Sequence, residues 1–309
     1  MQLKTRWPQP KAGVKKFLIR IAGAIQAALY PMRCLVCGSF FQLKHHQGIQ
    51  GAHKNLQNIL RCLKFQTAGS SQTHLAEDNF FKTCFEVLFN PILCPVCVSG
   101  FESLESPFCI KCGIMFPARQ DDNHFCGDCL TRTKRFSTAR APGIYDRTLL
   151  ALIHCYKYRA KIQLAPPLGA LLLAALMRYW DWNSIDMVIP VPLHISRLRK
   201  RGFNQALLLI RDWNRMAKDL KVGLPDIHIE SDVLTRNRRT ESQTGLARKL
   251  RMTNIKNAFS IEDTLKIEDK RILLVDDVYT TGATVEACAA ELMENGAQTV
   301  DVLTLARAM

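Results

Sequence analysis

The sequence predicts a mainly parallel α/β domain preceded by a small cysteine-rich metal module. Three observations carry this. Apolar strands alternate with helical patterns after Arg140, eight cysteines fall in four Cys-x-x-Cys pairs before it, and near the C-terminus one apolar strand ends in two carboxylates followed by a Thr/Gly turn and a helix.

The 309 residues suffice for one large or two ordinary domains, and 48% hydrophobic content excludes disorder throughout. Lysine and arginine outnumber aspartate and glutamate by 42 to 27, a formal charge of +15. This balance favours an anionic partner: nucleic acid, a membrane face or a phosphorylated metabolite.

Composition divides the chain at about residues 33 and 134. In residues 1–33, Phe17, Ile21, Ala24, Ile25, Ala28 and Leu29 recur at helical spacing, so an amphipathic helix is expected. Lys15 and Lys16 before an apolar stretch resemble a signal peptide, but Arg20 and Gln26 interrupt it. No stretch elsewhere reads as long and apolar enough to span a bilayer. The paired cysteines point to a reducing cytoplasm, with attachment to the inner face of the membrane as a further option.

Residues 34–134 hold the pairs Cys34/Cys37, Cys94/Cys97, Cys109/Cys112 and Cys126/Cys129. A two-residue gap lets both thiolates face one tetrahedral ion, and eight thiolates suffice for two. Thiolate selects zinc, which has no redox chemistry, so a structural role is expected; iron is the other metal this donor set accepts. Consecutive and interleaved pairings are both allowed. Residues 38–93 read as a polar insertion, and metal rather than an apolar core is expected to hold this module together. Cys62, Cys84, Cys155 and Cys288 read as small hydrophobes.

Residues 135–309 form the α/β domain. Helices are expected over 146–158, 164–180, 204–220 and 283–295, with strands over 186–191, 271–276 and 299–305. Strand 271–276 runs into Asp276, Asp277, Val278, Tyr279, Thr280, Thr281, Gly282, Ala283 and Thr284. A turn of small and hydroxyl residues at a helix N-terminus offers N–H groups and a favourable dipole to a phosphate. Carboxylates beside a phosphate would repel it unless they hold ribose hydroxyls or hydrated Mg²⁺.

These residues resemble the phosphoribosyl-pyrophosphate (PRPP) motif of type I phosphoribosyltransferases. The resemblance implies that Asp276 and Asp277 serve the reacting sugar while Thr280, Thr281, Gly282, Ala283 and Thr284 cradle its 5′-phosphate, with Mg²⁺ as cofactor. Other segments resemble the ComF family: Cys109-Ile-Lys-Cys-Gly113, Cys126-Gly-Asp-Cys129, Tyr156-Lys157-Tyr158, Pro190-Val-Pro-Leu193, Arg201-Gly-Phe-Asn-Gln205, and Arg239-Thr240 through Gln243 to Leu246. That resemblance implies a zinc ribbon before the PRPP domain and a part in DNA uptake during natural transformation. Single-stranded DNA and the competence machinery at the membrane are then the expected partners beside PRPP.

By position in the family fold, Val191, Pro192, Arg199, Lys200 and Arg201 form a basic loop for the pyrophosphate. Arg238, Arg239 and Thr240 begin the flexible lid that closes over the reacting centre. The alternatives are a housekeeping phosphoribosyltransferase acting on a nucleobase or amine, and a regulator that senses PRPP without chemistry.

Overall fold

The computed structural model describes residues 32–42, 79–117, 122–221, 223, 225–238 and 258–309. The N-terminal helix expected before Pro31, most of the insertion, Cys62, and the lid residues Arg239 and Thr240 lie outside them.

Strands β1 (Met32–Arg33) and β2 (Phe40–Phe41) pair antiparallel in the cysteine-rich part, and a parallel sheet organises the α/β part. Strands β3 (Ala139–Arg140), β5 (Met187–Pro190), β8 (Arg271–Tyr279) and β9 (Thr299–Arg307) lie in the order β3, β9, β8, β5, and β4 (Gly143–Ile144) also pairs with β9. Every pairing among them is parallel. The central strands β8 and β9 read as almost continuous apolar runs because both faces are covered. Leu273, Val275, Leu303 and Leu305 enter one apolar core, while Ile272, Leu274, Val300 and Val302 enter the other. That alternation is the period of two of a pleated strand.

On the first face lie α4 (Arg147–Tyr158), α5 (Ala165–Tyr179), α7 (Gln205–Ile210) and α8 (Trp213–Asp219). Asp146 begins α4 as expected, its carboxylate accepting from the Arg147 N–H at 2.8 Å. Helix α5 is buried nearly all round, and at Gly169 it meets α7 so closely that a Cβ would sit 2.3 Å from the Leu209 carbonyl oxygen. With the 3-10 turn before it, this helix spans Ile162–Tyr179, whose mean hydropathy of 1.3 over 18 residues is long and apolar enough for a bilayer. The reading that no such stretch exists is therefore corrected, but 61% of it is buried inside the protein, where it serves as the core helix of this face. On the second face lie α9 (Ala283–Glu294) and the antiparallel pair β6 (Leu234–Arg236) and β7 (Phe259–Ile261).

Three elements differ from the sequence expectation. The single helix 204–220 is two, because the chain breaks at Arg211 and Asp212. The basic loop after β5 is a helix, α6 (Ile195–Arg201), which His194 caps and Gly202 ends at φ +81°. Strands β8 and β9 run three and two residues further than periodicity suggests, since Val278 and Tyr279 pair with Ala306 and Arg307.

The cysteine-rich part also departs from a metal-held module without an apolar core. Within residues 38–93, α1 (Phe80–Phe89) buries Phe81, Cys84, Phe85 and Phe89, and Phe85 stacks on Phe89 and Phe101 with ring centroids 4.2 and 4.0 Å apart. These residues belong to the same core as α4, α5 and one face of the sheet. Cys84, Cys155 and Cys288 are buried, as small hydrophobes should be.

Candidate functional site

Two clusters of four cysteines form, and the pairing left open by the sequence is consecutive. Cys34, Cys37, Cys94 and Cys97 make one, and Cys109, Cys112, Cys126 and Cys129 the other, with all ligand atoms of each within 4.8 Å of one another. A tetrahedral ion with Zn–S bonds of about 2.3 Å sets its sulfurs roughly 3.8 Å apart. The Cys37–Cys94 and Cys112–Cys126 sulfurs stand 3.6 and 3.7 Å apart, so both clusters fit structural zinc. Helices α2 (Pro95–Ser99) and α3 (Gly127–Thr131) begin directly after Cys94 and Cys126, each of which lies at a helix N-terminus. The clusters sit against opposite faces of the sheet, the first in the α5 core and the second in the α9 core.

The acid pair and the Thr/Gly turn lie where β8 leaves the sheet. Alternation sends Asp277 toward the α4 face and Asp276 toward the α9 face. Asp277 is buried and accepts a 2.7 Å ionic hydrogen bond from Lys157 Nζ, on the last turn of α4. Burial opposes the charged ammonium, but the Asp277 carboxylate outweighs it, and the pKa of Lys157 lies above the ordinary lysine value.

Asp276 accepts from the Asp277 N–H at 2.8 Å. Enclosure by the protein, reinforced by the like charge of Asp277, pushes its carboxyl up to about 7, against the opposing pull of Lys157 and Arg236. Arg236, at the end of β6, is itself buried over the Phe259 ring. Burial and the nearby Arg197 of α6 lower its pKa, so a second guanidinium stands near Arg236. That concentration of positive charge suits a polyanion.

The turn beyond the acids is shaped by one residue. Gly282 adopts φ +77°, and a Cβ there would meet the Tyr279 hydroxyl oxygen at 2.3 Å. Tyr279 is buried and Thr280, Thr281 and Thr284 are half-buried. No side chain caps α9 at Gly282, while Thr281 Oγ1 accepts from the Ala283 N–H at 3.4 Å. Gly282→Ala therefore meets both backbone strain and a clash. It should destabilise the fold by about 2 kcal/mol and weaken phosphate binding at least tenfold, measured by urea denaturation and titration calorimetry.

The basic loop is brought to the same edge. Pro190 pairs with Val275, the Val191 N–H donates to the Val275 carbonyl at 2.8 Å, and Asn204 Nδ2 holds the Val191 carbonyl at 3.1 Å. Val191 and Pro192 are buried, Arg199 and Lys200 exposed. Arg201 donates to Gln205 Oε1 at 2.9 Å and lies 5.2 Å over the Tyr158 ring, while the Tyr156 hydroxyl donates to the Gln205 carbonyl at 2.9 Å. Of the three residues expected to begin a lid, Arg238, exposed just beyond β6, is the one described.

Comparison with known proteins agrees with this geometry. Residues 213–309 match the phosphoribosyl transferase domain family model, which spans β8, the turn and α9. A protein named DNA utilization protein YhgH from Escherichia coli O157:H7 is 34% identical over 223 residues, 70% of this chain and 91% of the relative. Competence protein F from Haemophilus influenzae is 31% identical, covering 70% and 90%. The chain belongs to the ComF family. A more distant relative, competence protein ComFC from Streptococcus pneumoniae, is 27% identical over 70% of this chain and 87% of its own length.

Two residues of this ComF-family site escaped sequence reasoning. Lys157 stood inside the Tyr156-Lys157-Tyr158 motif without a role, and its signal was a lysine on a helix turn whose neighbours Cys155 and Tyr156 are buried. Arg307 had no motif at all; its signal was a charged residue ending an apolar strand.

Proposed function

We propose that the chain binds PRPP with Mg²⁺ at the carboxyl edge of β8 and serves the handling of internalised single-stranded DNA during natural transformation, on the cytoplasmic side of the membrane. One observation carries the PRPP reading. The acid pair, the Gly282 turn and the start of the pyrophosphate loop meet at adjacent strand ends, with Lys157 and Arg236 supplying charge. Ligands of open α/β sheets bind at such carboxyl ends.

In this reading Thr280 to Thr284 hold the 5′-phosphate and Asp276 and Asp277 accept from ribose hydroxyls. The donor set suits a sugar better than a bare cation, because Lys157 already neutralises Asp277. Mg²⁺ would be held mainly by the pyrophosphate of the ligand, with Asp276 beside it, and would supply charge stabilisation for a departing pyrophosphate. Arg199, Lys200 and Arg201 would face that pyrophosphate. Where transfer to a nucleobase or amine occurs, the acceptor nitrogen forms a bond to ribose C1 as the C1–O bond to pyrophosphate breaks.

The DNA reading is supported by the names of the relatives and by the charge of +15. Titration calorimetry with PRPP and Mg²⁺ tests the first part; no heat of binding at millimolar ligand overturns it. Binding of a single-stranded oligonucleotide that weakens steeply with salt supports the second, and its absence at low salt removes it.

Hydroxyl donation favours the ionised form of Asp276, so PRPP affinity should fall as pH drops below about 7, by up to tenfold per unit. Calorimetry across that range should show the fall for PRPP and ribose 5-phosphate.

A further inference from the structure

The Arg307 side chain, buried at the end of β9, joins the second cysteine cluster to the phosphate turn. Its Nε donates to the Cys112 carbonyl at 3.2 Å, and its Nη1 donates to the carbonyls of Tyr279 at 3.3 Å, Thr280 at 2.9 Å and Ala308. The guanidinium carbon lies 4.2 Å from the Tyr279 ring centroid, and Nη2 stands 4.0 Å from Cys112 Sγ. The same Tyr279 ring fills the space that a side chain at 282 would need.

In a trans peptide the C=O and the next N–H point to opposite sides. A guanidinium gripping the Tyr279 and Thr280 carbonyls therefore aims the N–H groups of Thr280 and Thr281 away from itself. In the PRPP reading the 5′-phosphate lies on that opposite side. We infer that Arg307 is a positioning residue which orients the N–H groups of Thr280 and Thr281 toward the 5′-phosphate, and that the second cysteine cluster, through Cys112, anchors it. This inference rests on the PRPP reading and adds to it the source of the turn's geometry. The first cluster, on the other face of the sheet, has no comparable link to the turn among the described residues; its contacts run to α4 and Lys161 through Leu35 and Cys97.

The test compares the full-length wild type with Arg307→Met, using ribose 5-phosphate, pyrophosphate and PRPP as separate probes in calorimetry. Zinc content and melting temperature are measured in parallel. The expected result is two zinc equivalents retained, affinity for ribose 5-phosphate and PRPP reduced at least tenfold, and affinity for pyrophosphate changed less than twofold, because a positioning defect touches one subsite. Equal binding of ribose 5-phosphate by both proteins overturns the inference, and so does an equal loss for pyrophosphate, which marks a general collapse. Should Arg307→Met not fold, Arg307→Lys carries the same test, since lysine keeps the charge but has one nitrogen where arginine uses Nε for the Cys112 carbonyl and Nη1 for the turn carbonyls. A wild type that binds neither sugar phosphate defeats the PRPP reading itself, and this inference falls with it.

Discussion

Asp277→Ala is expected to destabilise the fold by about 3 kcal/mol, whereas Asp276→Ala should leave stability at pH 8 unchanged or slightly raised, and both should lose PRPP binding by at least a hundredfold. The neighbours differ because of what faces them. Removing Asp277 leaves the Lys157 ammonium, whose side chain is 15% exposed, without its 2.7 Å partner, and breaking such a buried pair costs roughly 3–5 kcal/mol. Asp276 has the opposite sign. Its folded-state pKa lies above the unfolded value, so the native state binds more protons and its contribution to stability is lost as pH rises toward about 7. Replacing it removes that penalty. Urea denaturation of both variants and of the double variant Lys157→Met, Asp277→Leu measures this. The double variant should recover most of the stability, since exchanging a buried pair for apolar groups is often neutral. Equal losses for the two single variants would sink the assignment of Lys157 to Asp277, and zinc content should be unchanged in all three.

Loss of the first metal should destabilise the chain as one unit instead of releasing an independent ribbon. Cys34 and Cys94 belong to the core of α4 and α5, Thr148 Oγ1 donates to the Cys97 carbonyl at 2.6 Å, and Lys161 Nζ donates to the Leu35 carbonyl at 2.8 Å. Gly100 packs so closely on Thr148 that a Cβ there would lie 2.6 Å from its hydroxyl. Binding of structural zinc is folding free energy, and here the folded unit includes the sheet. Cys34→Ser should lower the zinc content from two equivalents to one and the melting temperature by about 10 °C or more, within a single calorimetric transition. Two transitions with the upper one unmoved would identify the ribbon as autonomous.

Both predictions depend on contacts that are distant in sequence, and the same distance limited what could be read beforehand. The strand, turn and helix of the β8 segment were legible because their information is local: an apolar run, two acids and a Thr/Gly turn stand within fourteen residues. The four Cys-x-x-Cys pairs were legible for the same reason. Which pairs share an ion was not, because Cys37 meets Cys94 across 57 positions and spacing cannot express that encounter. The stretch before Cys94 looked polar on average, yet Phe80–Phe89 is an apolar helix whose four buried residues matter more than the mean composition of residues 38–93.

The sequence alone therefore determined the chemistry available: soft thiolates in pairs, an acid pair at a strand end, a Thr/Gly turn and an excess of cations. Tertiary structure decided which of those cations matter. Lys157 and Arg307 reach Asp277 and Thr280 from 120 and 27 positions away, and the local signals that mark them do not name these partners. Their roles arise because parallel strands bring their carboxyl ends together, so that a charge buried at that edge must find its partner there.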